Sequence, residues 1–134
     1  MDVLEITIRK SWKRAPWVAI LLIFLHWLTD AIADQWMAWL IWAVLDAIGY
    51  FAIGAWIASA LRPESPTRDE VRGAGAIAGS MSAALVFLGA LLLSILGIWD
   101  YPVLIFALPD IFISIFAGLL GSHLVDKTMG PVDW

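Results

Sequence analysis

Between Trp36 and Leu61 the chain reads WMAWLIWAVLDAIGYFAIGAWIASAL, an apolar run with one acid, Asp46, near its middle. As a helix rising about 1.5 Å per residue it covers roughly 39 Å, more than the ~30 Å hydrocarbon core of a bilayer. That is too long and too apolar for an ordinary soluble helix, and the run reads as a transmembrane span. A carboxylate at mid-span costs on the order of 3 kcal/mol to insert, so Asp46 is expected to face protein or water and not lipid. Where it points, and what it meets there, becomes the functional question.

The remainder of the chain has the same character. Hydrophobic residues make up 62% of it and charged residues 15%, with nine Trp against two Tyr. A soluble domain of this size cannot hide so much apolar surface, whereas a bilayer accepts it as the outside of the fold. Four spans are expected, at about 16–33, 36–61, 73–98 and 101–125, giving an all-α polytopic bundle of two hairpins. Ahead of them, residues 1–15 carry Leu4, Ile8 and Trp12 on one helical face among Arg9, Lys10, Lys13 and Arg14, the pattern of an interfacial amphipathic segment. Pro16 then suits the first turn of the first span. Residues 126–134 form a short polar tail. A cleaved signal peptide would need Ala31-Ile32-Ala33 as its cleavage site, and Asp30 beside that site argues against it.

Between the second and third spans, RPESPTRDEVR (Arg62 to Arg72) is a proline-broken polar loop whose SPTRDE reads as a capped helix start. The third span shows Gly75, Gly79, Ser82, Gly89 and Gly97 along one side. Gly75 and Gly79 form a GxxxG pair, a device for close helix approach where lipid supplies no hydrophobic drive. That small face is expected to pack helices, including those of a homo-oligomer. The chain turns at Trp99-Asp100 and restarts at Pro102. Every Lys and Arg (Arg9, Lys10, Lys13, Arg14, Arg62, Arg68, Arg72 and Lys127) then falls on one side, which the positive-inside rule makes cytoplasmic, with both termini. Trp27, Trp36, Trp39 and Trp99 read as an outer aromatic belt, and Trp12, Trp17, Trp56 and Trp134 as an inner one. The halves also align weakly: AVLD ending at Asp46 lies over ALPD ending at Asp110, and each acid is followed about two helical turns later by a glycine, Gly54 or Gly118. This would be a parallel internal repeat.

Asp46 lies about ten residues past Trp36 and Asp110 about nine past Tyr101, so the helical rise sets both roughly 14 to 15 Å below the outer boundary. His26 on the first span falls at a similar or shallower level. Two carboxylates that meet in low dielectric cannot easily both ionise, so the pair either holds a proton or has a cation between its members. Either arrangement suits a proton-coupled carrier or a cation pathway. The plainer alternative is that a protonated Asp bonds a backbone carbonyl or Ser114 as glue between helices. A lone His26 is satisfied by one backbone contact, and gains a role only in company with the acids. His26, Asp30 and Asp34 also share a stripe that forms a weak outer cation site.

Other classes find no support. With no cysteine there is no disulfide, thiolate metal site or thiol chemistry. One porphyrin cannot span His26 and His123, which sit at opposite ends of the bundle. Neither G-x-S-x-G nor H-E-x-x-H occurs, so no enzyme activity, cofactor or metal is expected. RKSWKR is an anchor to anionic lipid, not a nucleic-acid site. Two functions remain: a transporter or channel-like protein moving protons or cations through Asp46 and Asp110 with His26 assisting, or a non-catalytic subunit that docks into a larger membrane complex.

Overall fold

The computed structural model describes residues 2–64, 66–98 and 103–128. Helix α1 runs Val3–Ile32, α2 Gln35–Leu61, α3 Arg68–Ile95 and α4 Val103–Thr128, with one 3-10 turn at Arg62–Glu64 and no strand among the described residues. Each of the four contains a stretch long and apolar enough to cross a bilayer. The expected turn at Trp99-Asp100, the Tyr101 boundary, the restart at Pro102 and the tail from 129 to Trp134 lie outside the described residues.

Local chemistry sets the ends of these helices. Thr67 caps α3 through a reciprocal box, its hydroxyl accepting from Glu70 N (3.2 Å) while the Glu70 carboxylate accepts from Thr67 N (2.9 Å). The helix therefore begins at Arg68, about a turn ahead of the span boundary read from hydropathy. It ends in a Schellman motif: Ile98 N donates to Leu93 O (3.0 Å) and Gly97 N to Ser94 O (3.1 Å). Gly97 has φ +72° there and touches nothing that a side chain would meet, so it serves as a helix terminator and not as a packing residue.

The segment boundary expected at Ala15 falls within one unbroken helix. Helix α1 continues through Pro16, which lies inside it. The first half is held against the bundle by buried Ile6, Thr7, Ser11 and Ala15 and by Lys10 Nζ, which donates to Ala60 O at 2.9 Å. Leu4, Ile8 and Trp12 lie on the outer face of the same helix and are exposed.

Helices α2 and α3 touch each other and each packs on both α1 and α4, which lie across from one another. The α3–α4 seam is antiparallel, with Gly75 against Gly118 and Ser122 and Gly79 against Ser114. The α2–α4 seam is parallel, with Gly54 against Gly118 and Gly121 against Phe51 and Ala55. At these crossings backbone meets backbone, leaving no room for a Cβ. The small face of α3 is thus occupied by α4 of the same chain, and Gly75, Gly79 and Ser82 are not available to join copies of the protein. Gly89 meets only the tip of Ile23.

Along α4 the polarity runs opposite to that of a surface helix in a soluble protein. The inward stripe of α4 is Asp110, Ser114, Gly118, Ser122 and Asp126, all buried, while Leu108, Phe112, Phe116 and Leu120 are exposed on its outer side. Ser11, His26, Asp46 and Ser82 are likewise buried on the other helices. An aqueous solvent would drive the reverse distribution.

Candidate functional site

Helix α2 turns one stripe inward, Trp42, Asp46 and Tyr50, each four residues from the next. Helix α1 brings His26 to that stripe and α4 brings Asp110. With its proton on Nε2, His26 donates to Asp46 Oδ1 at 2.6 Å. The Tyr50 hydroxyl donates to Asp110 Oδ2 at 2.7 Å. The two carboxyl groups lie close enough to interact electrostatically. These contacts make one buried chain, His26 to Asp46 to Asp110 to Tyr50, drawn from three helices, with no member more than 4% exposed.

Hydrogen-bond accounting constrains the chain. His26 and Tyr50 supply donors to one oxygen of each acid. Asp46 Oδ2 and Asp110 Oδ1 receive no donor from the described residues. Both are acceptors in the ionised state, so the contact between the two acids is attractive only when a proton lies between them. A proton shared between the two carboxyls would supply that donor and leave the pair with a single negative charge.

Aromatic and apolar packing closes the site. The Trp42 indole lies over His26, ring centroids 5.4 Å apart, and its Nε1 donates to the His26 carbonyl oxygen at 3.1 Å. Outward of the acids, Ala38, Trp42 and Ala90 form one apolar cluster; toward the other end Ala19, Leu22, Tyr50, Ala83 and Val86 form a second.

Of the residues expected from sequence, Asp46, Asp110 and His26 come together. Ser114 is not their partner, since its hydroxyl donates to Ile111 O (2.7 Å). The outer stripe of His26, Asp30 and Asp34 does not converge. His26 turns inward to Asp46, Asp30 is exposed, and Asp34 stands at the start of α2 beyond the end of α1. No group of three potential metal ligands occurs among the described residues. Trp42 and Tyr50 are members of the site that hydropathy does not single out; their signal is the four-residue spacing on either side of Asp46.

A second polar cluster lies at the opposite end, where Arg72 Nε donates to His123 Nδ1 (3.2 Å) and Arg68 Nε stands 3.9 Å from Asp126 Oδ2. His123 is thus remote from His26. The chain matches no family model, no curated protein and no solved structure.

Proposed function

We propose that the protein is an integral membrane protein that moves protons, or a cation exchanged for protons, through the His26–Asp46–Asp110–Tyr50 chain. The observation that carries this reading is the chain itself: ionisable groups from three helices joined in a dry interior, in a protein whose outer surface is otherwise apolar. Intramembrane acids of this kind are the groups that proton-coupled carriers and pumps use. The four apolar helices cross the bilayer, with lipid covering the exposed Leu, Phe and Trp side chains.

Orientation follows from the two ends. Lys10 beside Ala60, Arg72 beside His123 and Arg68 near Asp126 bring the basic residues to one end of the bundle, while Asp30 and Asp34 lie at the other. The basic end is cytoplasmic under the positive-inside rule, in a cell membrane, with both termini inside. The Arg14 guanidinium, 5.3 Å from the centre of the Trp56 ring, fits an interfacial level there. A docking-subunit role would need a surface other than the glycine face, which α4 already covers.

The test is proton flux in proteoliposomes carrying a trapped pH dye, with the membrane potential clamped. Asp46→Asn keeps its shape and a hydrogen-bonding group, so the variant is expected to purify as a monodisperse helical protein and to lose the flux. Flux equal to that of the unmodified protein overturns the reading.

A further inference from the structure

Between α3 and α4 a cleft of about 440 Å³ runs inward from the outer surface of the bundle. Its walls include Ala83, Ala84, Phe87 and Leu88 of α3, with Asp110 and Ile111 of α4. Ala84, Leu88 and Ile111 are exposed, so the mouth opens sideways onto the surface that lipid would cover. Ser80 also lines it, but its hydroxyl proton is committed to Ala76 O at 2.8 Å.

Three observations define what such a cleft accepts. Its volume falls in the range of small-molecule sites, and its walls are almost wholly apolar, so the occupant has an apolar body. The acid that lines it, Asp110, is only 4% exposed, and a carboxyl so buried is matched by an occupant that brings a donor. Two acids lie here, and by sequence every Lys and Arg belongs to the segments at the far end of the bundle, so the complementary donor is cationic. An anionic amphiphile is repelled, and a compact inorganic cation would leave the apolar walls unused. We propose that this cleft binds an apolar amine in its protonated form, entering from the membrane plane, with its N–H donated to Asp110.

The inference rests on the proton-moving role proposed above and assigns its exchange partner. When the ammonium arrives, the proton shared by Asp46 and Asp110 leaves to solvent. Two carboxylates and one ammonium then carry the same single negative charge as the two carboxyls and one proton they replace. The exchange is therefore electrically neutral at the site, and amine and proton compete for it.

The experiment uses the full chain in nanodiscs of zwitterionic lipid, with N-methyldibenzylamine as probe and empty nanodiscs as the partition control. Saturable binding of the amine, accompanied by proton release recorded with a pH dye, is expected, with no competition from the hydrocarbon isostere that has carbon in place of nitrogen. Ala84→Phe fills the mouth from an exposed position, and is expected to weaken amine binding by roughly tenfold or more while the variant keeps the helical circular dichroism of the unmodified protein. Equal binding by Ala84→Phe, or equal competition by the hydrocarbon, overturns the proposal, the second result marking the cleft as a seat for lipid chains. Proton flux without amine binding removes the amine site and leaves the proton reading standing. Amine binding and proton release without any transmembrane flux keep the site and remove the transport role.

Discussion

The hydrogen bond between Tyr50 and Asp110 is open to a direct measurement by a double-mutant cycle of Tyr50→Phe and Asp110→Leu. Tyr50 is fully buried, and its hydroxyl stands 2.7 Å from Asp110 Oδ2. Phenylalanine refills the same space apart from one oxygen, so the change removes the donor without opening a cavity. The carboxyl oxygen left behind loses that donor in a dry interior, a loss of about 1–3 kcal/mol. Leucine at 110 approximates the shape of aspartate and removes the acceptor of that bond. With both replaced, neither group is left waiting for the other, so the double variant should recover part of the summed loss. The expected coupling is about 1–2 kcal/mol, well above the ~0.5 kcal/mol scatter of independent sites. Equilibrium unfolding in mixed micelles of mild detergent and sodium dodecyl sulfate, followed by circular dichroism, measures all four corners. Coupling within ~0.5 kcal/mol of zero refutes the claim that the hydroxyl is anchored on Asp110.

Further variants probe the packing, the caps and the orientation. A Cβ at Gly118 would press on the Gly75 carbonyl with no side chain to yield, so Gly118→Ala should destabilise by about 1–3 kcal/mol, while Gly73→Ala, with nothing within 4 Å, should stabilise by about 0.5–1 kcal/mol in the same unfolding assay. Equal effects at the two positions would contradict the backbone contact. Thr67→Ala removes half of the capping box and should cost about 1 kcal/mol by that assay, with Ser at 67 restoring it. Because the chain has no cysteine, a single one introduced at exposed Asp30 or Glu64 reports sidedness by labelling intact cells with an impermeant maleimide. Asp30→Cys should label at once and Glu64→Cys only after permeabilisation; the reverse pattern inverts the assigned orientation.

The central acids were legible in the sequence because helical rise converts spacing along the chain into depth. Asp46 and Asp110 are charged residues in apolar runs at equal distance from plausible boundaries, and His26 falls near that level. Their neighbours were harder to read. A tryptophan or tyrosine in such a chain is most simply assigned to an interfacial belt, and hydropathy does not distinguish Trp42, turned inward onto His26, from Trp36, which is exposed. Spacing about Asp46 is the discriminating signal, since residues four before and four after a buried acid share its inward face. In the first half of α1 the burial pattern adds a second face to the amphipathic one. The apolar stripe Leu4, Ile8 and Trp12 is the outer face, and the stripe of small residues Thr7, Ser11 and Ala15 is the packed one. The glycines of α3 show that a helix will approach closely, but spacing alone does not say whether the approaching helix belongs to the same chain.

The glycine contacts and the acid pair belong to one geometric arrangement. Helices α2 and α4 run parallel, and Gly54 meets Gly118. Each glycine stands about two turns, roughly 12 Å, beyond the acid on its own helix. Two parallel helices with equal rise that touch at these glycines hold Asp46 and Asp110 at the same level, and the absence of side chains at the crossing lets the helix axes come near enough for the carboxyls to meet. The similarity of AVLD and ALPD, each with its trailing glycine, therefore has a physical use independent of its origin. It equalises two depths. The same crossing binds the site to the opposite seam, because Gly118 lies against Gly54 of α2 and Gly75 of α3 together. A side chain added there moves α4 away from both helices, and the acids feel the change without being touched.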